Sequence, residues 1–570
     1  MNTRSAVRPV SIANPRVSVR HNQDGSVIVA SLDPLAPYPA RFTAHLQHWA
    51  GLGPGRCMLA ERGSDGRWRR LSYAEAWAGT LAIAQALLDR GLTPERPVMI
   101  LSGNGIDHAL LMLGALHAGV PVTPVSTAYA LAGGSFEKLR AIAALIEPGL
   151  VFAADAARFA AAFAAIGPGP EYVCLAADAG HTPLAALRAA TPTAATIAAE
   201  AVGPDTVAKV MLTSGSTGSP KAVATTNRML CSNQQMLLQT FPFLGETPPV
   251  LVDWLPWSHT FGGSHNLGIV IANGGTMYID EGRPVPGGFE PTVSNLREIA
   301  PTLQFNVPKG YEELVPYLER DAALRATFFS RLQMLFYSAA SLQPWVLEAL
   351  DRLAEQTIGA KIQWMTSLGC TETAPAAMAP PTHQVAAGVV GLPMPGVELK
   401  LAPAGDRMEA RLRGPNVMTA YWRNPEATRA AFDADGFYCM GDALEPVVAG
   451  DYASSFRFDG RLVENFKLSS GSFVLVGALR LRLLTALAPH VRDVVIAGQD
   501  RDYIALLAIP EDHAAIREPA VRAALAEALV RFGAGAGSAA RPLRLGFLTA
   551  PLSVDTGELT DKGSISQRTI

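Results

Sequence analysis

Apolar and polar residues alternate over positions 17–29 on either side of Asp24 and Gly25, which predicts an N-terminal hairpin. Further along the period lengthens. Ser72 with Glu75 forms a capping box that predicts a helix through Leu88, ended at Gly91. Apolar runs at 97–101 and 120–125 are short enough for buried strands, and 106–117 between them reads as a helix closed near Gly119. The uncharged stretch 109–136 is broken by Pro121, Pro124 and a cluster of Gly, Ser and Thr, so it reads as helix, strand and loop and not as a membrane span. Strand-like runs recur at 207–212, 250–255, 276–279, 332–337 and 362–366. Helices alternating with buried strands predict an α/β fold of doubly wound type, its parallel sheets covered on both faces.

Near Gly388 the texture changes to Gly- and Pro-punctuated strands, including 397–401 and 408–413, which predicts a β-rich subdomain over about 388–458. Strands at 494–497 and 504–509, a helical stretch at 513–532 and a Gly/Ala linker at 533–540 then make a compact α+β tail. The expected organisation is a large N-terminal domain, 1–460, followed by a small C-terminal domain, 461–570. The Ala-rich segments 141–165 and 185–201 read as helix formers, not repeats.

Composition narrows the function classes. A chain of 570 residues, 49% hydrophobic and 17% charged, has enough apolar material for more than one core. Its net charge of -3 supplies no basic field for nucleic acid, so a polyanionic ligand must be held by local groups. Cys57, Cys174, Cys231, Cys370 and Cys439 are odd in number and lack Cys-x-x-Cys pairs, which suits reduced thiols in the cytoplasm. Arg4, Arg8, Arg16 and Arg20 have no apolar run behind them, so neither a secretory signal nor membrane insertion is expected. His259 and His265 are six apart with no third ligand nearby, which argues against zinc.

The stretch 213–221, Thr-Ser-Gly-Ser-Thr-Gly-Ser-Pro-Lys, changes the picture most. The hydroxyls of Thr213, Ser214, Ser216 and Thr217, the close-approach backbone at Gly215 and Gly218, and Lys221 suit a clamp for phosphate oxygens behind a strand. A kinase-type loop would run Gly-Lys-Ser/Thr directly into a helix, whereas Ser219 and Pro220 separate Gly218 from Lys221. Four more stretches follow in order. They are Leu368-Gly369-Cys370-Thr371-Glu372, Tyr438-Cys439-Met440-Gly441-Asp442, Phe458-Asp459-Gly460-Arg461 with Lys467 to Gly471 behind it, and Gly557-Glu558-Leu559-Thr560-Asp561-Lys562.

In order and spacing these motifs resemble the adenylate-forming superfamily of acyl-CoA ligases, carrier-protein adenylation domains and luciferases, from about residue 40 onward. The resemblance implies ATP, Mg²⁺ and coenzyme A as reactants and cofactors, in a monomer or homodimer with a mobile C-terminal domain. It implies that the 213–221 loop and Lys221 hold phosphates, that Thr371 donates to the α-phosphate and that Glu372 binds the metal. Asp442 would accept from the ribose hydroxyls beside Arg461, and the small residues Ser338, Ala339 and Ala340 would pack on adenine. His259 falls at a gate beside the carboxylate, Lys562 is the lysine bridging carboxylate and α-phosphate, with Lys467 as the alternative, and Lys467 and Gly471 belong to the CoA step.

This chain departs from the superfamily's pattern in three places. Lys562 lies in Leu-Thr-Asp-Lys-Gly instead of the commoner Ser-Gly-Lys, Val463 stands where Asp or Lys is usual, and Gly477 replaces a common proline. The segments 255–266, 365–375, 464–474 and 557–568 most resemble bacterial feruloyl-CoA synthases, which implies ferulate, p-coumarate or caffeate as substrate. Phe261, Asn306, Tyr337, Leu368 and Gly369 are the expected walls of a slot for a flat acid. Benzoate or a fatty acid as substrate, a carrier-protein thiol as acceptor, and a catalytically dead nucleotide-binding homologue are the alternatives. The joint retention of Lys221, Glu372, Asp442, Arg461 and Lys562 speaks against the last.

Overall fold

The structure is a computed structural model that describes residues 6–131, 136–176, 180–213, 221–285, 287–338, 342–386, 388–470, 472–550, 552, 558, 565, 567, 569 and 570. Its centre is a seven-stranded sheet in the order Lys221–Thr226, Val207–Thr213, Val122–Pro124, Val98–Ile100, Leu150–Phe152, Glu171–Cys174 and Thr182–Pro183. All neighbours are parallel except the edge pair, where Val207–Thr213 and Lys221–Thr226 run antiparallel with Thr213 opposite Lys221. The helix Tyr73–Asp89 carries the predicted capping box, Ser72 and Glu75 each bonding the other's backbone. Ile106–Ala118 closes on Gly119, whose φ of 74° only glycine adopts at little cost.

Two smaller sheets complete the α/β region. Val250–Asp253 and Thr276–Ile279 pair in parallel, then join Cys57–Arg62 and Trp68–Ser72. Leu303–Asn306, Met334–Tyr337 and Gln363–Thr366 form a parallel sheet of three. The α/β expectation therefore holds, as a set of sheets rather than one. A nine-stranded antiparallel sheet runs Val17–His21, Val27–Ser31, Glu398–Ala404, Arg407–Arg413, Tyr438–Pro446, Phe456–Arg461, Val389–Pro393, Ala376–Ala379 and Leu368–Gly369. The β-rich segment 388–458 is thus not self-contained: the N-terminal hairpin extends one end of its sheet, and the short strand Leu368–Gly369 that leads to Glu372 extends the other.

Three local expectations need correction. The Ala-rich stretch 141–165 is not continuous helix, because Pro148 and Gly149 stop Glu137–Ile146 and the buried strand Leu150–Phe152 pairs with Val98–Ile100 before Ala156–Ile166 begins. Segment 185–201 is cut at Pro192 into Leu184–Arg188 and Ala194–Ala198, the second capped by the Thr193 hydroxyl. The helix expected at 513–532 starts later, at Pro519–Gly533, after a 3-10 turn. Toward the C-terminus, Leu479, Leu483, Val494, Ile496, Leu506 and Leu525 pack as a separate apolar cluster over the strands Val491–Ala497, Ile504–Pro510 and Pro542–Phe547. Among the described residues no helix is long and apolar enough to cross a membrane.

Candidate active site

A cleft of about 2630 Å³ is lined by strand ends of the α/β sheets, by the antiparallel sheet and by C-terminal residues. Thr213, Lys221, His259, Phe261, Tyr337, Ser338, Leu368, Gly369, Thr371, Glu372, Asp442 and Arg461 all line it. Residues that are up to about 250 positions apart in the chain are thus brought to one surface. Ser214, Gly215, Ser216, Thr217 and Gly218 of the loop, with Ala339, Ala340, Gly471 and Lys562, lie outside the described residues.

On one side of the cleft the groups are charged. Glu372 sits in the 3-10 turn Thr371–Thr373 behind Leu368–Gly369, buried to 7% exposure, and its Oε1 accepts from the Tyr421 hydroxyl at 2.9 Å. Gly369 is required there, since a Cβ would fall 1.7 Å from the Pro375 carbonyl oxygen. Asn416 braces the turn by donating to the carbonyls of Thr373 and Ala376, each at 2.9 Å. Tyr421 is held along the outer edge of Lys221–Thr226 by a bridge to Val223 and by bonds from Trp422 N to Ala222 O and from Ala224 N to Ala420 O. The Lys221 ammonium lies 5.0 Å from the centre of the Tyr421 ring. Tyr421 thereby joins Lys221 to Glu372, the candidate metal ligand, a link that no local motif signals.

Asp442 projects from Tyr438–Pro446 directly across from Arg461 on Phe456–Arg461. Arg461 Nε is 3.4 Å from Asp442 Oδ1, an ion pair without hydrogen-bond alignment, so this buried oxygen has no hydrogen-bond partner among the described residues. Burial pushes the carboxyl up to about 6 against the opposing pull of Arg461. An unsatisfied buried acceptor beside a cation suits a ligand that brings hydroxyl donors. Among the described residues no group of three or more His, Cys, Asp or Glu could hold a metal. Glu372, one of several carboxylates that line the cleft, instead fits Mg²⁺, which takes one or two protein carboxylates and completes its shell with phosphate oxygens and water.

A second set of lining residues is aromatic. Asn104 clamps the 255–257 turn, donating to Leu255 O and accepting from Trp257 N, each at 2.9 Å, and His259 follows. The chain then makes a π-helical turn, Phe261–Asn266, which no pattern predicted. Gly262 and Gly263 allow it, because a Cβ on either would fall within 2.4 Å of the Leu255 or Trp257 carbonyl oxygen. Lys209, fully buried under the turn, donates to Gly263 O at 2.6 Å, and Gln234 donates to Ser264 O at 3.0 Å. Burial pulls the Lys209 ammonium down to about 7.

Two expected residues fall elsewhere. Asn306 does not line the cleft: it is fully buried, and its Oδ1 accepts from Val307 N as the chain turns into the helix Pro308–Arg320. Lys467, on the short strand Phe466–Lys467, is exposed and outside the cleft lining in this arrangement. Leu552 and Ile565, on either side of Lys562 in the sequence, do line the cleft.

The family described as AMP-binding enzyme matches residues 46–422. A carboxylic acid reductase of Mycobacterium marinum is 24% identical over 86% of this chain, which spans 44% of the reductase. A CoA ligase of Mycobacterium tuberculosis that acts on a methyl-dioxo-octahydroindenyl propanoyl group is 28% identical over 70% of this chain and 75% of its own length. The crystal structure of the adenylation domain of a carboxylate reductase from Mycobacterium chelonae superposes with a TM-score of 0.72 at 22% identity, covering 94% of this chain and 89% of that one. This last likeness establishes the fold.

Proposed function

The chain belongs to the AMP-binding enzyme family, and from that premise we propose that it activates a hydroxycinnamate such as ferulate with ATP and passes the acyl group to CoA. A carboxylate oxygen attacks the α-phosphorus, giving acyl-AMP and pyrophosphate. The CoA thiol, losing its proton, then attacks the acyl carbon and releases AMP. The observation that carries this reading is the unsatisfied Asp442 Oδ1 facing a cleft that also holds Thr371, Glu372 and Lys221. Those groups fit a ribose and a polyphosphate together.

In this reading Asp442 and Arg461 orient the ribose, and Ser338 with Ala339 and Ala340 borders the adenine. Thr213, the loop residues 214–218 and Lys221 hold the departing pyrophosphate. Thr371 donates to the α-phosphate, and Glu372, kept in place by Tyr421, would hold Mg²⁺, which neutralises phosphate charge when bound. His259 stands beside the carboxylate, and Phe261, Tyr337, Leu368 and Gly369 wall the slot for a flat ring. Lys562 bridges the two reacting anions. Its assignment is supported by Leu552 and Ile565 lining the cleft on either side of it in sequence. Lys467 and Gly471 serve the CoA step after the C-terminal domain, 461–570, has turned about the Arg461 region.

The M. marinum relative favours a second reading, in which the acyl group goes to a carrier-protein thiol, since this chain spans 44% of a reductase. Pyrophosphate release measured with cinnamic, benzoic, malonic and fatty acids tests the first half-reaction, and thioester formation with free CoA separates the two acceptors. Release that depends on hydroxycinnamates, with their CoA thioesters as products, is expected. Release with fatty acids alone would overturn the substrate assignment, and release without thioester would move the reading to the carrier thiol.

A further inference from the structure

His265 lies in the π-helical turn, 1% exposed, inside a cage of three phenyl rings that it shares with the cleft wall. Its ring centre is 5.1 Å from Phe305, 5.4 Å from Phe336 and 5.5 Å from Phe261. Nδ1 is 2.8 Å from Asn266 Oδ1, whereas the buried Nε2 has no partner among the described residues. A fourth aromatic ring would have completed this cage without leaving a polar atom uncompensated, which ordinarily costs stability.

The surrounding bonds fix what Nε2 can do. Asp253 Oδ1 accepts from Leu255 N at 3.2 Å and its Oδ2 accepts from Asn266 Nδ2 at 2.9 Å. With Asp253 ionised, Asn266 turns its carbonyl oxygen to the imidazole, and Nδ1 then carries the proton that bonds it. Burial holds the ring neutral by pulling its pKa down to about 4. Nε2 is left as a bare acceptor. It calls for an O–H or N–H donor from outside the protein, and Phe261 is the one ring of the cage that is not fully buried, so it forms the side from which a ligand can enter.

We propose that His265 is a specificity-determining residue that accepts a hydrogen bond from a phenolic hydroxyl at the far end of the acid. The inference rests on the aryl-acid ligase reading above and sharpens it. A malonate-type acid has no proton to donate from its distal carboxylate near neutral pH, and an alkyl chain or plain benzoate has no donor at all. A site that pairs a buried acceptor with a substrate hydroxyl rejects the analogue that lacks it, because the acceptor is then stranded.

The test is acid-dependent pyrophosphate release, comparing kcat/KM for 4-hydroxycinnamate and cinnamate in the wild type, His265→Leu and His265→Gln. The wild type is expected to prefer the hydroxylated acid by ~10-fold or more, and His265→Leu to bring the ratio within about twofold of one. His265→Gln, whose amide oxygen can still accept, should retain part of the preference. If His265→Leu does not fold, the wild-type ratio and the Gln variant carry the test. A wild type that does not discriminate, or a preference unchanged in a folded variant, overturns the role of His265 and leaves the ligase reading standing. A wild type that releases no pyrophosphate with any acid overturns the ligase reading, and this inference with it.

Discussion

On the charged side of the cleft, Glu372, Asp442 and Arg461 sit in short motifs at turns and strand ends, with a bonding position left for a polar ligand. On the aromatic side, Phe261, His265, Phe305 and Phe336 come from three separated elements and present one bare nitrogen in an apolar cage. The difference separates two tasks. A polyphosphate is recognised by donors, acceptors and cations that the backbone must aim, so glycines and tight turns dominate. A flat acid is recognised by shape and a single polar contact, so packing dominates. In the proposed function these two sides carry nucleotide chemistry and acid choice respectively, and substitutions should affect them separately.

The largest effect is expected at Lys562. Lys562→Ala should lower adenylate formation by ~10²-fold or more while leaving thioester formation from supplied acyl-AMP largely intact. Adenylation near the wild-type rate would show the residue to be misassigned. Glu372→Gln should cost ~10²-fold in kcat/KM for pyrophosphate release for every acid alike, and titration with Mg²⁺ should show a weakened metal dependence. An effect that varied with the acid would break the division between the two sides.

Asp442→Asn should weaken ATP binding by ~10-fold, the scale of a lost charge-assisted hydrogen bond, with the KM for the acid unchanged. The wild type should also show a pH dependence that this variant lacks. The carboxyl is raised to about 6, so its charged form, the better acceptor, is complete only above that value, and nucleotide affinity should fall as pH drops through about 6. The linked stability contribution has the opposite sense: in the free protein it is fully present below the ordinary carboxylate pKa and is lost as pH rises through about 6. Lys209→Met should have the smallest effect. It strands the Gly263 carbonyl and should cost ~1–3 kcal/mol in denaturant unfolding, raising the KM for the acid and not for ATP.

Most of the charged side was legible in the sequence because its residues are local. Gly441, at φ 74°, precedes Asp442, and Gly369 precedes Thr371 and Glu372, so the turn and the functional group are adjacent in sequence. Tyr421 escaped because its role depends on pairing with Val223, nearly two hundred residues away, which no local pattern encodes. Asn306 differs for a related reason: a polar residue at a strand end looks the same whether it faces a pocket or folds back on its own backbone, and here its Oδ1 is taken by Val307 N just before the helix Pro308–Arg320. The π-helical turn has only Gly262-Gly263 as its trace in the sequence, where His265 reads as a lone histidine without the partners zinc needs. Its unsatisfied nitrogen emerges only when Asp253 and Asn266 are placed beside it.

In the proposed reaction the acid's own oxygen attacks the α-phosphorus of ATP. Turnover of ferulate labelled with oxygen-18 in its carboxylate, followed by mass analysis of the nucleotide product, tests it directly. The expected product is AMP carrying one labelled oxygen. Unlabelled AMP, or ADP in place of AMP, would contradict it.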